Sequence, residues 1–121
     1  MIEHVYRRAS DARSVASVIV ATDDERVADA VRAFGGEVRL TSTSHRRGTD
    51  RLAEVAGAMD CELVVNVQGD EPLVEPAMID EAVAPFATEP ALRMSTLRRL
   101  IADPADYRNP NVTKVVVDRD G

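Results

Sequence analysis

At 121 residues the chain is long enough for one domain with a single core and no more. Its formal net charge of −6, with Lys114 the single lysine among 15 basic residues and no basic stripe interleaved with aromatics, argues against a general nucleic-acid binder. The 45% hydrophobic content suits a soluble globular class, no apolar run approaches the length of a membrane span, and the opening Met-Ile-Glu-His-Val-Tyr-Arg-Arg carries no secretory signal, so a cytoplasmic location is expected.

Residues 2–12 place Ile2, Val5, Tyr6 and Ala9 at helical spacing and predict an amphipathic helix. Residues 17–21 read as a strand. Thr22 and Asp23 are cap candidates for a following helix, with Glu25 close behind and with Val27, Ala30, Val31 and Phe34 on its apolar face. Gly35 and Gly36 end that helix, and residues 37–41 are a second strand. A polar loop at 42–47 leads to Gly48 and Thr49, which open a helix with Leu52, Val55, Ala56 and Met59 on one face.

Residues 62–68 predict a central strand, and Cys61 at its start reads as a small core residue. Being alone, Cys61 excludes an intrachain disulfide and a cysteine-based metal cluster. Glu75 and Pro76 begin another helix, with Ile79, Ala82, Val83 and Phe86 on its face and Pro85 ending or kinking it. Residues 92–97 alternate as a half-buried strand, residues 103–111 are a turn-rich loop, and Val112 to Val117 are a last strand. Strands alternating with helices imply right-handed βαβ units and a largely parallel sheet.

The stretch that organises the chain is 62–73. The apolar run of Leu63, Val64, Val65 and Val67 has the look of a strand buried on both faces. It stops at Gly69, and Asp70, Glu71 and Pro72 follow. Two carboxylates therefore sit just past the C-terminal end of a predicted strand, where ligands bind in open α/β sheets. Gln68 adds a polar amide at the same mouth. One or two carboxylates completed by substrate phosphates is the usual setting for Mg²⁺. An acidic turn is also ordinary solvated loop chemistry, so the spacing alone leaves both readings open.

Five segments, in order and at these spacings, carry a resemblance. They are Ala-Thr-Asp-Asp-Glu (21–25), Gly-Gly-Glu-Val (35–38), Arg-Gly-Thr-Asp-Arg-Leu-Ala-Glu-Val (47–55), Val-Asn-Val-Gln-Gly-Asp-Glu-Pro (65–72) and Asn-Pro-Asn-Val-Thr-Lys-Val-Val (109–116). Together they resemble the 3-deoxy-manno-octulosonate (KDO) cytidylyltransferases across essentially the whole chain. The resemblance implies an α/β, Rossmann-like nucleotidyltransferase three-layer sandwich, with residues 1–121 as a partial CTP-binding domain truncated at both ends. It implies transfer of a cytidylyl group from CTP to the sugar acid KDO, giving CMP-KDO and pyrophosphate, for lipopolysaccharide synthesis. By the same resemblance Asp70 is the catalytic Mg²⁺ ligand, Gln68 lies beside the nucleotide, and Gly48, Thr49 and Arg51 line the cytidine pocket. No role is carried over to His45. The resemblance implies a homodimer for intact family members.

Read without the resemblance, Thr49 is an ordinary cap and Arg51 ordinary first-turn chemistry. The family pattern also has a first strand with a basic phosphate loop, and a C-terminal half bearing a second acidic metal ligand. Residues 1–121 match neither. The resemblance places that first strand between residues 17–21 and 62–68. Each unpaired backbone group there costs about 1–3 kcal/mol, against a domain stability of about 5–15 kcal/mol. Three outcomes are then open: the two strands close up, the fold is marginal, or another chain fills the gap. Weak or absent activity is expected of this polypeptide alone. Two rival readings remain: a non-catalytic nucleotide-binding or interaction domain, and a sialate-type cytidylyltransferase.

Overall fold

The computed structural model describes residues 1–119. The elements are α1 (Ile2–Ser10), β1 (Ile19–Thr22), α2 (Glu25–Ala33), β2 (Glu37–Leu40), α3 (Gly48–Gly57), α4 (Pro76–Val83), running into a 3₁₀ turn over Ala84–Ala87, and α5 (Pro104–Arg108). The class is the expected one, α/β with parallel strand pairing. β1 and β2 run side by side with Ile19 opposite Glu37 and Thr22 opposite Leu40. One more rung, from the Thr41 N–H to the Thr22 carbonyl at 2.9 Å, extends the pairing.

The β1–α2–β2 unit forms for local reasons that can be named. Asp24, rather than Thr22 or Asp23, caps α2: its carboxylate accepts the Arg26 N–H at 2.8 Å. Thr22 instead accepts the Asp24 N–H through its hydroxyl, at 3.1 Å. At the other end Gly35 takes φ +81°, the Gly35 N–H bonds the Arg32 carbonyl and the Gly36 N–H bonds the Val31 carbonyl, each at 3.0 Å. This is a Schellman stop, in which only glycine adopts the left-handed turn without strain. Ala28 and Val31 of α2 are fully buried, whereas Ala30, expected on that face, is exposed. Tyr6 joins α1 to this unit, its ring edge-on to Phe34 at 5.4 Å and its hydroxyl accepting the Glu37 N–H at 3.1 Å.

A second core lies between α1 and α4. Ala9, Ala12 and Ile79 are buried there, with Val15, Val18, Val65, Val67 and Val74 packed around them. Asp80 locks α4 to the turn after α1, accepting the Ser14 N–H at 2.8 Å and the Ser14 hydroxyl at 2.6 Å. As expected, Pro85 ends α4, since the 3₁₀ turn begins at Ala84. The Asn109 side chain accepts the Asn111 N–H at 2.9 Å, and α5 adds one short helix inside the segment expected to be loop.

Three strand expectations need correction. Residues 62–68, 92–97 and 112–117 form no regular element, and among the described residues none joins a ladder. The reason is that alternation selects a face, while a strand also needs a neighbour that offers backbone groups. Val65 and Val67 do turn inward onto the α1–α4 core, but Leu63 and Val64 are 38% and 50% exposed, so the run is not buried on both faces. Met94 and Val116, at 80% and 94% exposed, lie in the other two runs. Cys61 is exposed as well, contrary to its reading as a core residue.

Candidate functional site

Among the described residues β1 pairs with β2 alone, along one edge. β1 and the segment 61–69 together line a cleft of about 740 Å³. Of the three outcomes left open by sequence, closing up is not what occurs. The apolar lining comes from Val5 and Ala9 of α1, Leu52 of α3 and Ile79 of α4, together with these two segments. Polar groups gather at the C-terminal end of β1, where Thr22, Gly48, Arg51, Asn66 and Gln68 also line the cleft.

The N-terminus of α3 reaches this end through a braced loop. Arg47 occupies the cap position with no side-chain hydrogen bond, so the first helical N–H groups are left without a side-chain cap. Thr49 follows at the second helical position; it is exposed and does not cap the helix. A Cβ on Gly48 would lie 3.9 Å from the Gln68 amide, an ordinary contact, so the protein itself does not demand glycine there. The Gln68 amide is oriented by donation from Nε2 to the Asn66 side-chain oxygen at 3.0 Å.

Arg51 is the most heavily engaged of the candidates. Its guanidinium donates to Thr41 Oγ1 at 2.6 Å and pairs with Asp23 at 3.0 Å, and only 17% of its side chain is exposed. Glu54, one turn on, bonds His45 and accepts the Ser42 N–H at 3.1 Å. The His45 hydrogen bond, then the Ser42 N–H, hold the Glu54 carboxyl below its ordinary range.

Asp70 does not line the cleft. It lies in a turn closed by the Glu71 N–H on the Gln68 carbonyl at 3.2 Å and the Val74 N–H on the Glu71 carbonyl at 3.1 Å. α1 clasps this turn. His4 donates to the Pro72 carbonyl at 3.0 Å, Arg8 donates to the Val74 carbonyl at 3.0 Å, and Arg8 also pairs with Glu75 at 3.0 Å. Asp70 itself is exposed, and no ion pair among the described residues engages it. The described residues contain no cluster of three or more acidic, His or Cys side chains able to hold a metal unaided. An unpaired carboxylate with only acceptor oxygens does fit a Mg²⁺ ion whose remaining ligands are water and substrate phosphates.

Gly48, Arg51 and Gln68 are thus brought to one cleft, while Thr49 and Asp70 stand outside its lining. Asp23, Thr41, Asn66 and the His45–Glu54 pair brace that end, and sequence reading had not assigned them this part. Asp23 lay within the Ala-Thr-Asp-Asp-Glu segment but was read as a cap. Its partner is 28 positions away, a separation that no local periodicity exposes.

Parallel βαβ architecture with polar side chains gathered at the C-terminal end of a strand defines an α/β domain of the class that binds ligands at that end of its sheet. Within that class the chain belongs to the cytidylyltransferase family, which it matches over residues 1–121. It is 60% identical over its full length to the 3-deoxy-manno-octulosonate cytidylyltransferases of Geobacter metallireducens and Geobacter sulfurreducens. It is 53% identical to that of Solibacter usitatus. In each case the chain spans 48% of the relative, about half its length. A solved structure of CMP:2-keto-3-deoxy-manno-octonic acid synthetase complexed with CTP superposes with a TM-score of 0.73 at 45% identity, covering 75% of this chain and 38% of that one.

Proposed function

We propose that this chain supplies the CTP-binding part of a KDO cytidylyltransferase. The reaction is attack of the sugar's anomeric hydroxyl on the α-phosphate of CTP. A bond forms between that oxygen and the phosphorus, the bond to the β-phosphate oxygen breaks, and pyrophosphate leaves with the electron pair. The observation that carries this reading is the meeting of Gly48, Arg51 and Gln68 at one cleft end, in a chain 60% identical over its length to enzymes of that name.

Each residue has a physical part. Gly48 leaves the start of α3 open to a ligand's close approach, beside helix N–H groups that favour an anion. Gln68, oriented by Asn66, offers its remaining amide donor and carbonyl to a base edge. Arg51 presents a fixed cation and unused N–H donors. Thr49 adds a hydroxyl at the first turn of α3. Asp70 would hold Mg²⁺, which when bound neutralises phosphate charge developing during transfer.

The pathway is lipopolysaccharide synthesis, the setting is cytoplasmic, and the whole enzyme is a homodimer with CTP and KDO as its small-molecule substrates. No described helix is long and apolar enough to cross a membrane. These 121 residues alone are expected to bind CTP with weak or no turnover, because they hold one candidate metal carboxylate and a single lysine.

The test is a CTP titration of the purified chain with and without Mg²⁺, followed by pyrophosphate release with KDO or sialic acid as acceptor. Saturable CTP binding, strengthened by Mg²⁺ in the parent chain and not in Asp70→Ala, supports the reading. Absence of CTP binding overturns it. Release driven by sialic acid in preference to KDO overturns the acceptor. Turnover close to that of a full-length relative overturns the expectation of a weak fragment.

A further inference from the structure

We propose that Asp23 is a positioning residue for Arg51, holding its guanidinium at the C-terminal end of β1 so that it meets the nucleotide in one orientation. The inference rests on the nucleotide-binding reading above and goes beyond it, since that reading names no residue that places Arg51.

The geometry is a three-way brace. Asp23 lies in the turn between β1 and α2, Thr41 just past β2, and Arg51 in the first turn of α3. Arg51 Nη2 pairs with Asp23 Oδ2 at 3.0 Å and Nη1 donates to Thr41 Oγ1 at 2.6 Å. A planar guanidinium gripped at both terminal nitrogens has little rotational freedom left. It still keeps Nε–H and one N–H on each terminal nitrogen for a ligand. The pair is sheltered, with 17% of the Arg51 side chain and 35% of the Asp23 side chain exposed, so water competes less than at the open Arg26–Asp24 pair.

The arrangement also explains a sequence feature that capping does not. Of the two consecutive acids, Asp24 alone caps α2. Asp23 is free of that duty and turns instead across the loop to α3. Without it, Arg51 would keep Thr41 and fall under the pull of Glu54, whose carboxyl already feels the Arg51 charge. The guanidinium would then swing away from β1, toward the His45 side of the loop.

Two measurements on the purified chain test this. The first maps arginine modification by phenylglyoxal with peptide mass spectrometry, using exposed Arg46 as the internal standard. Arg51 should be protected in the parent chain, several-fold more reactive in Asp23→Asn, and protected again in Asp23→Glu. The second is CTP affinity, which should fall about tenfold in Asp23→Asn, a factor equal to one decade of Kd, and be largely restored in Asp23→Glu. Unchanged Arg51 reactivity in Asp23→Asn overturns the brace. Raised reactivity with unchanged CTP affinity overturns the positioning role and leaves nucleotide binding standing. A parent chain that binds no CTP while Arg51 reactivity responds overturns the nucleotide reading and with it the role, though not the ion pair. If Asp23→Asn fails to fold, Thr41→Val, which removes the other grip, is read in the same two ways. Unchanged reactivity and affinity there overturn the brace.

Discussion

The β1–α2–β2 unit and the predicted strands after residue 61 are built from similar residues and end up different. Both draw heavily on valine, with Val20, Val27, Val31 and Val38 in the first and Val64, Val65, Val67 and Val115 in the second. The first has a parallel ladder, a capped helix, a glycine stop and two fully buried side chains. In the second, Val65 and Val67 pack inward while Leu63, Val64, Met94 and Val116 stay exposed and no ladder forms among the described residues. Hydrophobic composition is therefore not what separates them. The difference is whether a neighbour supplies backbone partners, because a strand without them gains burial and no hydrogen-bond order.

That comparison can be broken most forcefully at Ile79, the bulkiest of the three buried side chains of the second core. Ile79→Ala should cost about 2–5 kcal/mol in chemical denaturation, since it opens a cavity between α1, α4 and the inward valines. A loss below 1 kcal/mol on this scale would mean that α1 and α4 do not pack as described. Gly35→Ala should cost about 1–2 kcal/mol, the strain of a left-handed turn in an L-residue. No clash adds to it, because nothing lies within 4 Å of an added Cβ. A neutral result would show that the α2 stop is not needed for the ladder.

Acid should act on the first unit through its cap. The Arg26 side chain, then its backbone N–H, lower the Asp24 carboxyl from 3.8 to about 2. A carboxyl lowered on folding stabilises above its unfolded value, so this contribution is complete above 3.8 and fades as the pH falls through about 2. Thermal melts from pH 5 downward should show a shallower acid-side decline for Asp24→Asn than for the parent, and parallel declines would remove Asp24 from the account. The smallest effect belongs to the second region. Val116→Ala should change stability by no more than about 0.5 kcal/mol, as at other exposed positions. A larger loss would mean that the 112–117 segment has a packing partner in solution.

Much of the helical framework was legible from local chemistry. Gly35 and Gly36 marked the end of α2, Pro76 the start of α4 and Pro85 its finish, because each acts through its own dihedrals or missing N–H. Leu52, Val55 and Ala56 of α3 are half-buried as their spacing predicts, as is Met59 just past the helix end. The cap was misplaced by one or two residues, since Thr22, Asp23 and Asp24 are all competent acceptors and only backbone direction selects among them. At the candidate site, motif order pointed to Gly48, Arg51, Gln68 and Asp70. It could not show that Arg51 is held by Asp23 and Thr41, that Asn66 orients Gln68, or that Asp70 lies on a turn clasped by α1 and outside the cleft lining.

What the amino-acid sequence determined by itself was the α/β class, the family, the helices α1 to α4, the glycine stop of α2 and the proline stop of α4. Those follow from interactions within a few residues, or from motifs whose order is visible along the chain. What only the tertiary structure decided was which predicted runs become strands, where Cys61 and Leu63 point, and which carboxylate holds which cation. Those depend on groups far apart in the chain meeting in space, and neither a backbone partner nor an ion-pair partner is encoded in local spacing.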